Sequence, residues 1–324
     1  MSLSHRSDAF IAILEQAEQR LRSLLSIPSN YHVLFAQGGA SAQFAAVPLN
    51  LILEDKPAGY LDTGYWSQKA ISEARRYGRV EVVASTENNG YRKALMKGDY
   101  TVPHELSYLH YTPNETIDGI AFNHIPESGS VPLVADLSSC ILSEPLDVSK
   151  FGLIYAGAQK NIGPAGLVVI IIREDLLDRS GHRVPRLMNY KILSEQNSMA
   201  NTPPTFAIYM ANLVFGWLID QGGLTAIQKL NASKAELLYR AIDSSRLFHN
   251  DIESASRSFM NVPFFSSDSE SDALFVQQAE AAGLMNLKGH RSRGGIRASI
   301  YNAMPLEGVE ALVNFMQKFE SKYV

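Results

Sequence analysis

A lysine in the middle of this chain stands where its amine could act as a nucleophile. Lys160 follows an apolar run, 152–156, that predicts a strand, and a loop rich in glycine and proline, 163–166, leads into a second apolar run, 167–172. Backbone on both sides restrains the side chain, and burial would lower the pKa of its amine, which favours the neutral, nucleophilic form. A solvated lysine after a strand is the alternative, and it would be preferred if Lys160 stood alone.

An aspartate upstream favours the chemical interpretation. Asp136 ends another short apolar run, 133–136. Pyridoxal phosphate forms Schiff bases with lysine, and it needs a carboxylate against its ring nitrogen so that the protonated ring can accept electrons from a substrate carbanion. Asp136 and Lys160 at neighbouring strand ends therefore predict a site for this cofactor. A turn-capping role for Asp136 is the alternative.

Three further motifs could hold the rest of such a cofactor. The stretch 37–43, Gln-Gly-Gly-Ala-Ser-Ala-Gln, lies between a predicted strand and a predicted helix, and its glycines would let the backbone approach a phosphate at the helix N-terminus. An ordinary tight turn is the alternative. Trp66 follows a strand end and could stack on a planar ring, although core packing is the commoner role. Thr116 could bond a ring oxygen with its hydroxyl, or serve only the turn in which it lies.

Two basic clusters could bind anionic substrates. One is His5-Arg6, and the other is the loop 288–293, Lys-Gly-His-Arg-Ser-Arg, with Arg297 beyond it. Arginine binds carboxylate and phosphate through two parallel hydrogen bonds. A solvated basic loop is the alternative.

Composition limits the classes of function. The chain has 324 residues, 46% of them hydrophobic, which is enough for a large core. A net charge of −4 gives no reason to expect a nucleic acid or a membrane surface as a partner. The single cysteine, Cys140, excludes an internal disulfide and fits a reducing compartment such as the cytoplasm. No set of residues with metal-ligand spacing stands out, so no metal is expected.

The order of the predicted elements indicates an α/β protein. Strands and helices alternate through the first two thirds of the chain, which predicts a mainly parallel sheet with helices on both faces. Pro203 and Pro204 open a long helix that is predicted to end near Gly222 and Gly223. We therefore expect a large domain over 1–222 and a small α+β domain over 223–324. The elements predicted for the small domain are helix 224–243, strand 257–263, helix 271–282, strand 295–300 and helix 305–320.

Long motifs along nearly the whole chain resemble the phosphoserine aminotransferase family, within the class-V pyridoxal-phosphate aminotransferases. The matching segments are 4–7, 37–44, 48–50, 62–66, 110–119, 156–166, 201–205, 288–290 and 295–304. The resemblance implies an aspartate-aminotransferase-like fold of type I, with a seven-stranded sheet in the large domain, and a homodimer whose active sites lie at the interface. It implies a transaminase that interconverts 3-phosphohydroxypyruvate plus L-glutamate with O-phospho-L-serine plus 2-oxoglutarate in serine biosynthesis. A second role, the phosphohydroxythreonine step of pyridoxine biosynthesis, is also implied.

The resemblance assigns a role to each matching residue. Lys160 would carry the cofactor, Asp136 would meet its ring nitrogen, Trp66 would stack on the ring and Thr116 would bond the ring hydroxyl. The residues implied for the cofactor phosphate are Ala40, Ser41 and Gln159, with Asn201 and Thr202 from the neighbouring subunit. The residues implied for substrate are Arg6 and Arg297 at carboxylates, and His5, His290 and Arg291 near the substrate phosphate.

Two departures from the family bear on these expectations. Some members have an arginine where this chain has Ser41, and that arginine helps to bind the substrate phosphate. Members also begin with an additional segment near the active site, before the residue matched by Ser4. The alternatives are therefore a cofactor-binding dimer that does not turn over, and another enzyme of the same fold, such as a lyase. A desulfurase would need a mobile catalytic cysteine, and Cys140, so close after Asp136, is poorly placed for that.

Overall fold

A computed structural model describes residues 4–179 and 184–323 of the chain. The helices are α1 (Asp8–Leu25), α2 (Gly39–Leu51), α3 (Tyr65–Ala74), α4 (Tyr190–Glu195), α5 (Thr205–Asp220), α6 (Gly223–Ser244), α7 (Ser269–Ala281) and α8 (Leu306–Tyr323). The strands are β1 (Tyr31–Gln37), β2 (Ala58–Asp62), β3 (Val80–Ser85), β4 (Leu109–Tyr111), β5 (Asn114–Glu115), β6 (Ile120–Ala121), β7 (Leu133–Asp136), β8 (Leu153–Gly157), β9 (Leu167–Arg173), β10 (Asn261–Phe264) and β11 (Ile296–Ser299).

Seven strands form one sheet in the order β1-β9-β8-β7-β4-β2-β3. Strand β9 runs antiparallel to both of its neighbours, and the other adjacent pairs are parallel, so the expectation of a mainly parallel seven-stranded sheet is confirmed. Strands β7, β8 and β9 are unbroken apolar runs because both of their faces are covered. Strands β1, β2, β4, β7 and β8 share one direction, so their carboxyl ends meet at one edge, where open α/β sheets bind ligands.

Two helical layers cover this sheet. On one face α1 and α5 pack together, with a core that includes Phe10, Leu21 and Phe215. Helix α1 forms because its apolar residues recur at helical spacing and because Ser7 caps it, accepting a hydrogen bond from Phe10 N at 3.3 Å. On the other face α2, α3 and α4 pack on a second core that includes Phe44 and Ile71.

The C-terminal part has its own small sheet and core. Strands β10 and β11 pair antiparallel, with Pro263 opposite Arg297, and α6, α7 and α8 contribute to the core beside them. Buried amides join this part to segments that follow β4 and β7: Asn114 Nδ2, in β5, donates to Asn261 Oδ1 at 2.9 Å, and Asn302 Nδ2 donates to the Leu142 carbonyl at 2.8 Å.

The C-terminal elements match their predicted order, and the largest shift of a boundary is at the start of the first strand. The strand predicted over 257–263 begins only at Asn261, because the Ser258 hydroxyl accepts hydrogen bonds from the N–H groups of Met260 and Asn261 and so holds a turn there. Helix α5 ends at Asp220 and α6 begins at Gly223, and the division into 1–222 and 223–324 stays a prediction. No helix in the two described ranges is long and apolar enough to cross a membrane.

Candidate active site

Lys160 lies in the loop after β8, at the carboxyl ends of the parallel strands. Its Nζ donates a hydrogen bond to Thr116 Oγ1 at 2.5 Å and lies 5.4 Å from the centroid of the Trp66 ring. Burial lowers the pKa of this amine, although the negative charge of Asp136 acts in the opposite direction. The structure therefore brings Lys160, Thr116, Trp66 and Asp136 together around a half-buried amine that loses its proton more readily than an ordinary lysine.

Asp136 ends β7, beside β8, and a serine two residues later holds its carboxylate. Asp136 Oδ1 accepts from Ser138 N at 3.0 Å and from Ser138 Oγ at 2.5 Å. The same hydroxyl accepts from Gly157 N at 3.0 Å, at the end of the neighbouring strand. Burial raises the pKa of the Asp136 carboxyl, while the Ser138 hydrogen bond and the charge of Lys160 lower it. Ser138 thus favours the ionised form of a carboxylate that burial would neutralise.

A narrow cradle lies between β1, β8 and the N-terminus of α2. Gly38 is the N-cap of α2, with φ of 95°, and it supplies no side-chain cap to the first helical turn, which includes Ala40 and Ser41. A Cβ added to Gly157 would lie 2.8 Å from Gln159 Oε1 and 3.3 Å from Ala40 N, so glycine leaves room here. Ala40 and Gln159, two of the three residues predicted to hold a phosphate, thus lie close together beside Gly157.

Asn201 and Thr202 approach this cradle from within the same chain. Gln37 Nε2, at the end of β1, donates to Asn201 Oδ1 at 3.1 Å and to the Thr202 carbonyl at 2.9 Å. Both residues are exposed. Helix α5 begins at Thr205 with Pro204 as its N-cap and no side-chain cap, so Thr202 is not the N-cap residue of this helix. Their role in a neighbouring subunit stays a prediction.

The basic residues divide into two groups. Arg297, on β11, is half-buried, and its positive charge lowers the pKa of Lys160. Its guanidinium forms no ion pair or hydrogen bond with another side chain among the described residues. His290 lies against the Tyr65 ring, with 5.4 Å between ring centroids, and Arg291 is exposed. His5 and Arg6, ahead of α1, make no side-chain contact with this cluster among the described residues. Their substrate roles stay predictions.

One arginine of the basic loop does not bind an anion from solution. Arg293 Nη1 donates to Asp118 Oδ1 at 2.8 Å, and Arg293 Nη2 donates to Asp251 Oδ1 at 2.5 Å. The guanidinium is thus neutralised by two carboxylates, and it joins the basic loop to the turn after Thr116. The charge of the loop alone predicts a solvated surface, and Arg293 departs from that prediction.

Sequence reasoning missed two side chains of the site, Ser138 and Glu115. Ser138 had a local signal, because an aspartate two residues before a serine commonly forms an Asx turn. Glu115 lies inside the motif 110–119, but the backbone N–H groups that its carboxylate accepts belong to α3, far away in the sequence. No local sequence pattern therefore indicates these contacts.

Cys140 does not suit a nucleophile. The thiol is half-buried and free, and burial raises its pKa, which leaves it protonated at neutral pH. No group of three acidic, histidine or cysteine side chains within 4–179 and 184–323 is arranged to hold a metal ion.

Comparisons with known proteins agree with this geometry. A family model described as aminotransferase class-V matches residues 1–312. A phosphoserine aminotransferase from Pseudomonas aeruginosa is 57% identical over 323 residues, which covers 100% of this chain and 90% of the relative. The solved phosphoserine aminotransferase of Bacillus circulans subsp. alkalophilus superposes with a TM-score of 0.98 at 46% identity, over 99% of this chain and 90% of that one. A pyridoxal-phosphate-bound phosphoserine aminotransferase from Trichomonas vaginalis superposes with a TM-score of 0.93 at 43% identity, over 98% and 90%. The chain belongs to the aminotransferase class-V family.

Proposed function

We propose that this protein is a phosphoserine transaminase that depends on pyridoxal 5'-phosphate. It interconverts 3-phosphohydroxypyruvate plus L-glutamate and O-phospho-L-serine plus 2-oxoglutarate. The observation that carries the proposal is the half-buried Lys160 amine, which lies against the Trp66 ring, bonded to Thr116, after the strand next to the one that Asp136 ends. The identity of 57% to a phosphoserine aminotransferase, over the whole chain, supports the substrate.

The residues present fit the cofactor. Beside the amine and the carboxylate lie a flat indole and a cradle of free N–H groups that a Cβ on Gly157 would fill. Pyridoxal phosphate, when bound, supplies a carbonyl that joins amines covalently and a ring that accepts electrons from the substrate. The family and the cofactor-bound relative from Trichomonas vaginalis are in keeping with this donor set.

Each side chain of the cluster has a task in this proposal. Lys160 would hold the cofactor covalently, and once the amino acid had displaced it, its neutral amine would take a proton from the substrate α-carbon as general base and deliver it to the cofactor's carbonyl carbon as general acid. Its lowered pKa favours this task because a neutral amine accepts protons. Asp136, whose ionised form the Ser138 hydrogen bond favours, would hold a proton on the ring nitrogen. Trp66 stacks on the ring and Thr116 bonds its hydroxyl.

The anionic groups are bound by separate parts of the site. Ala40, Ser41 and Gln159 would hold the cofactor phosphate at the positive end of α2. Asn201 and Thr202 would reach the cofactor phosphate of a partner subunit; both are exposed, which leaves them free to contact another chain.

The substrate is assigned to the basic residues. Arg297 and Arg6 would bind substrate carboxylates, and the substrate phosphate would bind near three residues, His5, His290 and Arg291. A neutral His290 would serve as a hydrogen-bond donor there, since burial lowers the pKa of its imidazole, and the charges of Arg297 and Arg291 lower it further. The phosphohydroxythreonine step of pyridoxine biosynthesis is a second substrate for the same site.

The assembly and the location of the enzyme are part of the proposal. We infer that it works as a homodimer in the cytoplasm, with a large domain over 1–222 and a small one over 223–324. The single cysteine is in keeping with a reducing compartment.

A half-reaction experiment tests the function. Phosphoserine added to the cofactor-loaded protein should remove the visible cofactor band, and 2-oxoglutarate added afterwards should restore it. Plain serine at the same concentration should leave the band unchanged. A band that ignores both phosphoserine and glutamate would favour the inactive dimer. Loss of phosphate from phosphoserine, without recovery of the band by 2-oxoglutarate, would favour a lyase.

A further inference from the structure

The first turn of α3 carries the tryptophan of the site, but the residue at its own N-cap cannot hold it. That residue is Gly64, which has no side chain to accept the free N–H groups of the turn. Glu115 accepts two of them: Oε2 accepts from Trp66 N and Oε1 from Ser67 N, both at 2.8 Å. A helix usually receives such bonds from its own N-cap residue. Here they come from a strand 48 residues further along the chain.

Glu115 is fully buried, with 0% of its surface exposed, and it directly precedes the residue that bonds the catalytic amine. Thr116 Oγ1 accepts the hydrogen bond from Lys160 Nζ at 2.5 Å. The dipeptide Glu115-Thr116, at the end of β5, therefore contacts both the helical turn that bears Trp66 and the Lys160 amine. A shift of this dipeptide would move the indole and the amine relative to each other.

The glycine at the start of α3 is shaped to this carboxylate. A Cβ added to Gly64 would lie 2.8 Å from Glu115 Cδ and 2.9 Å from Glu115 Cγ, closer than Cβ atoms approach in proteins. The φ of Gly64 is 161°, which any residue adopts, so the close approach of Glu115 is what requires glycine here.

We propose that Glu115 is a positioning residue of the cofactor site, whose carboxylate fixes the first turn of α3 and so holds the Trp66 indole over the Lys160 amine before the cofactor binds. The bidentate geometry supports this, since two parallel bonds restrict rotation of the turn as one bond would not. The positive end of the helix favours the anion. The inference rests on the cofactor proposed above. The competing explanation is a structural cap with no effect on the ring.

Tryptophan fluorescence separates the two explanations. The chain has two tryptophans, so Trp217→Phe leaves Trp66 as the sole reporter. In this parent we expect the indole of the cofactor-free protein to be shielded from acrylamide, and added pyridoxal phosphate to quench it. Glu115→Gln keeps the reach of the side chain but replaces one acceptor by an NH₂ group that faces an N–H. We expect this substitution to raise the acrylamide quenching constant of Trp66 at least twofold and to raise the Kd of the cofactor about tenfold.

A matched control and a second variant complete the test. Asp272 is also a buried carboxylate that accepts a backbone N–H, from Ser266 at 2.7 Å, but it lies in the C-terminal part. Asp272→Asn should lower the melting temperature while the Trp66 quenching constant and the cofactor Kd stay within twofold of the parent. Gly64→Ala keeps the Glu115 carboxylate but displaces it, and it should reproduce the effects of Glu115→Gln.

The outcomes are distinct. If Glu115→Gln and Gly64→Ala lower the melting temperature but leave Trp66 quenching and cofactor Kd within twofold of the parent, Glu115 is only a structural cap and the proposal is wrong. If Glu115→Gln does not fold, Gly64→Ala decides on the same criteria. A parent that does not bind pyridoxal phosphate would refute the proposed function, whereas acrylamide quenching in the cofactor-free variants would still decide the role of Glu115.

Discussion

Removing one hydroxyl behind the Asp136 carboxylate should weaken both the fold and the chemistry. Ser138→Ala deletes the donor at 2.5 Å from Asp136 Oδ1 and the acceptor at 3.0 Å from Gly157 N. A hydrogen bond to a charged group contributes about 1.5–3 kcal/mol, and leaving a buried N–H without an acceptor costs about 1–3 kcal/mol. Because the two effects share one atom and water can relieve part of the loss, we expect the free energy of unfolding to fall by about 3 kcal/mol.

The same substitution should shift the pH profile. Burial already raises the pKa of Asp136, and the Ser138 hydrogen bond lowers it. Without that bond the pKa rises further, so the carboxyl becomes protonated at a higher pH. If ionised Asp136 is required, the acidic limb of the kcat/KM profile should move to higher pH, and activity at a pH below that limb should fall tenfold or more, since one pKa unit corresponds to about 1.4 kcal/mol.

The chain offers a matched control for this variant. Ser149 forms the same pair of bonds with Asp147 Oδ1, from N at 3.1 Å and from Oγ at 2.5 Å, but on an exposed turn. Ser149→Ala should change stability by less than about 0.5 kcal/mol and leave the pH profile unchanged. Urea unfolding of the cofactor-free proteins would measure the change in stability. The pH profile would come from kcat/KM measured at about nine pH values between about 5 and 9. An acidic limb for Ser138→Ala that coincides with the wild-type limb would refute the role assigned to this hydroxyl.

Four further predictions address substrate, cofactor, subunits and pH. Arg297→Ala should raise KM for phosphoserine and for glutamate alike, by about 10- to 150-fold if a charged hydrogen bond of about 1.5–3 kcal/mol is lost. Arg291→Ala should raise KM for phosphoserine more than KM for glutamate. Equal increases of the two KM values in Arg291→Ala would count against a phosphate site. Borohydride reduction of the loaded protein should fix the cofactor on Lys160 in peptide mass mapping, and a label on another lysine would exclude this residue as the attachment point. Mixed dimers of Lys160→Ala and Asn201→Ala chains should be more active than either parent, because each intact Lys160 then faces an intact partner Asn201; no gain after confirmed subunit exchange would contradict a shared site. Burial raises the pKa of Glu115 to about 7 from its ordinary value of 4.5, so the folded state binds this proton more tightly than the unfolded state. The stability due to this group should therefore fall as pH rises from about 5 to about 7, and the urea midpoint of Glu115→Gln should lack that part of the pH dependence.

The fold could be predicted from the sequence because its elements are signalled locally. The apolar run of β8 and the helix predicted over 224–243 both correspond to elements within a residue or two of the predicted bounds. The sheet edge follows from the same information, since parallel strands bring their carboxyl ends together. This is why Asp136 and Lys160, identified as strand-end residues, lie at one site.

Side-chain pairing across the chain could not be predicted in the same way. Arg293 belongs to a loop whose charge suggests solvent or substrate, yet two carboxylates from distant segments neutralise it. Glu115 contacts α3 only because β5 folds against its first turn, and Asn201 contacts Gln37 because α5 begins beside the end of β1. Each of these contacts depends on where two separate elements meet, and hydrophobic periodicity carries no information on that.

The Asp-x-Ser tripeptides at 136–138 and 147–149 show where prediction from local sequence ends. Both form the same turn with the same two bonds to one carboxylate oxygen. At Asp136, β8 brings a further N–H, that of Gly157, onto the serine hydroxyl, and the carboxyl is buried, whereas Asp147 lies on an exposed turn. Short-range sequence therefore determines the shape of the turn, while the packing of the neighbouring strand determines its electrostatics. A carboxylate in this turn can hold a proton on a bound ring only where the second condition is met, which singles out Asp136 from Asp147 on physical grounds.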